Sequence, residues 1–192
     1  MSRVRVASND AMWLQDTATN LMVINAIFTT DRIDVETFRE TFRHRVMEAG
    51  GGDQFARFRQ RIAWQHGAAH WEEDPGFDLA RHIFPAPDPD LGTTPKLQAY
   101  VGAEASRPLP DDRPRWQFQV VEDFEDGATA FVVRIHHSIA DGVALLAVIF
   151  SLMEEMTAEH EAAPPRGGIR PAAGAPGRGL LRFQPPLVRS DH

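Results

Sequence analysis

Two adjacent histidines open the segment His136-His137-Ser138-Ile139-Ala140-Asp141-Gly142. A neutral imidazole suits general-base work near neutral pH, because its unperturbed pKa is about 6.5. His137 could draw the proton from an alcohol while the oxygen attacks a thioester carbonyl. The imidazolium and nearby hydroxyls or amides could then stabilise the oxyanion. No covalent acyl-enzyme is required, which agrees with a chain that has no cysteine and no G-x-S-x-G elbow. Ser138 stands beside a base and could be a nucleophile, but without an elbow it reads as a loop hydroxyl. Asp141 reads as a helix cap and loop brace rather than a proton carrier. A metal site built from His136, His137 and Asp141 is not expected, because neighbouring side chains on a strand point to opposite faces.

The elements on either side must hold these histidines. Ala128–Ile135 reads as a strand, and the apolar run Val143–Met156 reads as a buried helix. The imidazoles therefore fall at a strand-to-helix corner, where Asp141 can cap the helix and Gly142 permits a tight turn. Trp116–Glu122 is a second strand, and Glu125-Asp126-Gly127 is a turn signal, so the two strands form a hairpin. Leu21–Thr30, rich in branched and aromatic residues, is another strand. Asp34 is a good N-cap for a helix on which Val35, Phe38, Phe42 and Val46 share one apolar face; Gly50, Gly51 and Gly52 end that unit. Phe55–Trp64 is ambiguous between helix and strand. Asp74-Pro75-Gly76 is a turn, and Pro85–Pro95 is a loop rich in Pro and Asp. Leu97, Tyr100, Val101 and Ala105 suggest a short helix closed before Pro108. The fold class is α+β, a mixed sheet with flanking helices, without the βαβα rhythm of a doubly wound sheet.

Composition narrows the partners. Twenty basic against 27 acidic residues give a net charge of −7, which argues against nucleic acid. Arg57, Arg59 and Arg61 are the densest basic cluster and read as one solvated side of an extended segment. His44, His66, His70 and His160 have no partner pattern and read as surface residues. The absence of cysteine excludes disulfides and thiolate metal sites and fits a reducing compartment. The N-terminus shows no signal peptide, and no run is long enough to span a bilayer. A cytoplasmic location is expected. Residues 1–160 read as one domain; 161–192, dominated by Pro and Gly, read as a linker or disordered tail.

Around the histidine motif the sequence resembles the bacterial wax ester synthase/diacylglycerol acyltransferase family, part of the wider group of CoA-dependent acyltransferases with the HHxxxDG motif. Phe58-Arg59-Gln60-Arg61, then Trp71, then Phe77-Asp78-Leu79 with His82 resemble its "FRQR", tryptophan and "FDLxxH". Pro108-Leu109 with Arg113-Pro114-Arg115-Trp116 resembles "PLDxxRPLW", with Pro110 and Arg115 in place of the Asp and Leu. Met12-Trp13-Leu14 to Asn25 resembles the family's N-terminal strand region. The resemblance covers about residues 10–160. It implies a chloramphenicol-acetyltransferase-like fold of two similar halves, with acyl-CoA and alcohol meeting in a tunnel between them. It implies that His137 is the base, that His136 supports it, and that Asp141 orients the loop by pairing with an arginine. Pro114 and Trp116 are expected to pack and to start the strand.

The resemblance implies an O-acyltransferase half acting on acyl-CoA as co-substrate, without a bound cofactor, and on diacylglycerol or a long-chain alcohol. Peripheral membrane or lipid-droplet contact would fit such substrates. Two alternatives stay open: a lipid- or CoA-binding remnant without turnover, and another HHxxxDG enzyme such as a condensation domain. The chain stops where a linker to a second half is expected, so a separate C-terminal half or self-association is anticipated. An exposed half-interface should be apolar, so the chain expressed alone is expected to self-associate. Light scattering checks this, and a clean monomer would count against it.

Overall fold

A computed structural model describes residues 3–48 and 55–139, together with Val148, Ile149 and Leu152. In chain order the strands are β1 (Arg3–Arg5), β2 (Val23–Thr30), β3 (Gln60–Gln65), β4 (Ala68–Glu73), β5 (Ile83–Pro85), β6 (Trp116–Phe124) and β7 (Ala128–His136). The α-helices are α1 (Ser8–Ala11), α2 (Val35–Phe42) and α3 (Thr94–Glu104). One mixed sheet has the order β2-β7-β6-β5, with β5 parallel to β6 and the other pairs antiparallel. A smaller antiparallel sheet has the order β1-β4-β3.

The period of two along β7 separates two buried faces. Phe131, Val133 and Ile135 join Phe28, Phe118 and the α2 residues Phe38 and Phe42 in one apolar cluster. Ala130 and Val132 join Leu97, Leu91 and Val121 in a second, under α3. Because helices cover both faces, β7 is buried along nearly all its length. Fully burying side chains of this size contributes roughly 1.5–3 kcal/mol each.

Local chemistry explains the elements. Asp34 caps α2 by accepting the Thr37 N–H at 2.8 Å. That bond holds its carboxyl below the usual range. Phe38, Phe42 and Val46 face the core as their spacing requires, although the last of them sits on a π-helical turn, Arg43–Glu48. In the β6–β7 hairpin Asp126 and Gly127 both adopt positive φ, which explains the Asp-Gly signal. A second hairpin, β3–β4, turns through His66 and Gly67, again both at positive φ. It resolves Phe55–Trp64 into a 3₁₀ turn, Ala56–Arg59, followed by β3. Met12–Leu14, expected within a strand region, forms a 3₁₀ turn ahead of β2. Gly50, Gly51 and Gly52 and the tail 161–192 lie outside the described residues. No described helix is long and apolar enough to cross a membrane.

Arg134 is a charged residue in the middle of the buried strand β7. Its Nε donates to Asn25 Oδ1 at 3.1 Å, one terminal nitrogen donates to Glu104 Oε2 at 3.2 Å, and the other donates to the Arg107 carbonyl. Gln119 also donates to Glu104, at 3.2 Å, and the Tyr100 hydroxyl donates to Gln119. This network ties β2, β6 and β7 to the end of α3. Removing one partner of such a buried pair leaves the other uncompensated. Arg134→Leu is therefore expected to lower unfolding stability by about 3–5 kcal/mol. Urea unfolding measures this, and a loss under about 1 kcal/mol would show that the network carries little of the fold.

Candidate active site

β7 ends at His136, and the chain then turns, with the Ile139 N–H donating to the His136 carbonyl at 2.9 Å. His136 is almost fully removed from water, at 1% exposure, whereas His137 is half-buried. The two histidines thus occupy different environments, as expected for neighbours at a strand end. Backbone bonds hold both. His136 N–H donates to the Arg115 carbonyl at 3.0 Å, and His137 N–H donates to the Met22 carbonyl at 2.8 Å.

The His136 ring has partners on both nitrogens. The Ser138 N–H lies 3.2 Å from Nδ1 and can only donate, so Nδ1 is the acceptor. The Ser138 hydroxyl lies 2.7 Å from the same nitrogen. The proton then belongs on Nε2, which donates to Asp16 Oδ2 at 2.8 Å. Burial pushes the His136 pKa below the ordinary histidine value, against the opposing pull of Asp16. The same Asp16 oxygen accepts from Arg115 at 3.2 Å, and its partner oxygen accepts the Met22 N–H at 2.7 Å. Ser138, with 1% exposure, lies inside this arrangement as a donor to a ring.

His137 is held differently. Its ring stacks on Trp13 with centroids 4.4 Å apart and 16° between planes. Its Nδ1 is buried and has no hydrogen-bond partner among the described residues. Asp141 and Gly142 lie outside the described residues. Of the expected helix Val143–Met156, only Val148, Ile149 and Leu152 are described; they are helical and packed into the larger apolar cluster. Among the described residues no three His, Asp or Glu side chains gather as a metal site would need.

The remaining motif residues build the floor beneath this corner. Trp116, 2% exposed, donates its indole N–H to the Phe58 carbonyl at 2.8 Å. It stacks on His82 at 4.4 Å, and His82 stacks on Phe77 at 5.2 Å. The His82 Nδ1 reaches the Trp116 carbonyl at 2.9 Å, and burial lowers its pKa. Pieces far apart in sequence therefore converge on Trp116, next to the Arg115 carbonyl that holds His136. Pro114 and Leu109 are buried, and Pro108 is exposed. Arg113 forks onto Asp112 at 2.8 and 3.1 Å rather than reaching the histidines.

The basic cluster departs from expectation. Arg57 is no solvated side chain of an extended segment: it pairs with Asp10 at 2.6 Å, donates to the Ser138 carbonyl at 3.2 Å and lies over the Trp71 ring. Arg59 lies 3.8 Å from Glu73, and Arg61 pairs with Glu72. His70, expected at the surface, is half-buried, with Nδ1 3.1 Å from the Ala68 carbonyl. Asp16 was not singled out by sequence, and neither Trp13 nor Arg57 was given a part in the site. Their partners lie across the fold, separated by 81 residues for Arg57 and Ser138 and by 120 for Asp16 and His136. An Asp and a Trp within four residues of each other, ahead of a strand, was the one local sign available.

Residues 6–184 match the family model described as the wax ester synthase/diacylglycerol acyltransferase catalytic domain. The chain belongs to that family. A relative from Mycobacterium tuberculosis (strain H37Rv), named "Probable diacyglycerol O-acyltransferase tgs1", is 30% identical over 132 residues, which cover 67% of this chain and 28% of the relative. The chain thus spans less than a third of that relative's own length. The solved wax ester synthase/diacylglycerol acyltransferase from Marinobacter aquaeolei VT8 superposes with a TM-score of 0.54 at 23% identity, covering 75% of this chain and 37% of that one. The starter condensation domain of rhizomide synthetase, solved as a variant in complex with C8-CoA, superposes with a TM-score of 0.63 at 12% identity, covering 86% and 38%. The fold is therefore the mixed sheet that wax ester synthase/diacylglycerol acyltransferases share with condensation domains, a chloramphenicol-acetyltransferase-like architecture.

Two buried neutral histidines should make this wax ester synthase/diacylglycerol acyltransferase family chain acid-sensitive. His82 and His136 both have folded pKa values lowered by burial, whereas in the unfolded chain they titrate near 6.5. Below that pH the unfolded chain binds protons that the folded chain refuses. Stability is thus full above about pH 6.5 and falls as the pH drops toward the lowered folded values. Urea midpoints taken from about pH 7.5 down to about pH 5.5 should decline, and His136→Asn should flatten part of the decline. Midpoints that rise toward acid pH would contradict the neutral assignment.

Proposed function

We propose that this chain is the histidine-bearing half of an O-acyltransferase that esterifies diacylglycerol or a long-chain alcohol from acyl-CoA. One observation carries the reading: of the two motif histidines, His136 is locked by Asp16 and Ser138, whereas His137 is half-buried with no hydrogen-bond partner at Nδ1 among the described residues. In this reading His137 takes the hydroxyl proton as the alcohol oxygen bonds to the thioester carbonyl carbon. The tetrahedral oxyanion then collapses, the carbon–sulfur bond breaks, and the CoA sulfur leaves with the proton returned by the imidazolium. Acyl-CoA is a co-substrate, and no bound cofactor enters. His136 and, as the family resemblance implies, Asp141 act in support.

Family membership supports the lipid acceptor, and the C8-CoA complex of the condensation-domain relative supports a CoA thioester as donor. The likeness to condensation domains also favours a second reading, acyl transfer to an amine. A head-to-head assay with lipid alcohols and carrier-bound aminoacyl acceptors separates the two.

The test is a chimera in which this chain replaces the matching segment of the Mycobacterium tuberculosis relative. His137→Ala should lower ester formation by about 10²–10⁴-fold, the range for loss of a general base. Ester formation at the parent rate in that variant would remove His137 from the reaction.

A further inference from the structure

We propose that the segment Trp13–Asp16 is the positioning device of the histidine pair, with Asp16 fixing the strand end and Trp13 fixing the ring plane of His137. The functional half of this proposal rests on the acyl-transfer reading; the structural half does not.

The two residues control different degrees of freedom. Asp16 reaches His137 by two routes. Its Oδ1 accepts the Met22 N–H at 2.7 Å, and the Met22 carbonyl in turn accepts the His137 N–H at 2.8 Å. Its Oδ2 accepts His136 Nε2–H at 2.8 Å and is braced by Arg115 at 3.2 Å. These bonds place the backbone of His137, but they leave its side-chain torsions free. The buried Nδ1 of His137 meets no partner among the described residues, so no hydrogen bond to them through that nitrogen sets the ring plane. The near-parallel stack on Trp13, at 4.4 Å and 16°, does. The stacked indole and the carboxylate lie within four residues of one another, on the 3₁₀ turn Met12–Leu14 and the loop after it. One short segment thus serves both rings.

A base must come within about 2.6–3.2 Å of the proton it takes, and a misplacement of about 1 Å can cost on the order of 10²-fold in rate. A ring free to rotate about its own bonds moves by that much. Trp13 and Asp16 are positioning residues here and need not touch substrate.

The first measurement uses the full chain and no substrate. Ring current from Trp13 should place the carbon-bound ring protons of His137 upfield of free histidine in an NMR spectrum. Trp13→Leu should move them to the free-histidine position while leaving His136 in place, and Trp13→Phe should retain part of the upfield shift. Asp16→Ala should move the ring signals of both histidines. Unchanged His137 signals in Trp13→Leu would overturn the proposal whatever the reaction is. The second measurement uses the chimera. Trp13→Leu should lower kcat by about 10- to 100-fold with KM within about twofold, and Trp13→Phe should restore most of kcat. A raised KM with unchanged kcat would make Trp13 a substrate contact and overturn its positioning role. Activity retained in His137→Ala would remove His137 as the base alone, since the ring-current result stands apart from it.

Discussion

Asp16 brings a negative charge to the end of a strand whose last residue, His136, is almost wholly removed from water. A buried imidazole cannot cheaply carry a proton, and the Asp16 carboxylate, which keeps some exposure, accepts from Met22, Arg115 and His136. Burial holds His136 neutral against the pull of Asp16, and the bonds from Ser138 to Nδ1 and from Nε2–H to Asp16 hold it in one tautomer. In the proposed reaction, with His136 occupied on both sides, His137 is the imidazole left to act; its backbone is tied to the same carboxylate through Met22.

The rest of the fold keeps that strand end still. β7 is an inner strand of the mixed sheet, paired along eight residues with β2 and covered on both faces. The Arg134 network fixes it from the α3 side, two residues before His136. The aromatic stack of Phe58, Trp116, His82 and Phe77 fixes the start of β6, whose neighbouring Arg115 carbonyl accepts the His136 N–H. The motif residues spread along the sequence therefore act as scaffold: their side chains pack on one another and support the corner from below.

The hairpin β6–β7, the cap at Asp34, the apolar face of α2 and the helix near Leu97 were legible in the sequence, because each is set by neighbours a few residues apart. The short strands β1 and β5 were not, since three residues carry too little pattern. β3 and β4 were not read as a hairpin because His66-Gly67 is a weaker turn signal than Asp-Gly. At the site, the histidine pair at the end of its strand was legible. The partners Asp16, Trp13 and Arg57 were not, because hydrogen bonds and ring contacts across the sheet leave no period in the chain. Arg57 was misread as solvated for the same reason: its carboxylate partner, Asp10, is 47 residues away.

The protonation state of His136 tests the account most directly. Long-range proton–nitrogen NMR correlations of the labelled chain at neutral pH report which ring nitrogen carries hydrogen. The account requires His136 to be neutral, with hydrogen on Nε2 and none on Nδ1. A doubly protonated His136, or one with its hydrogen on Nδ1, would contradict it.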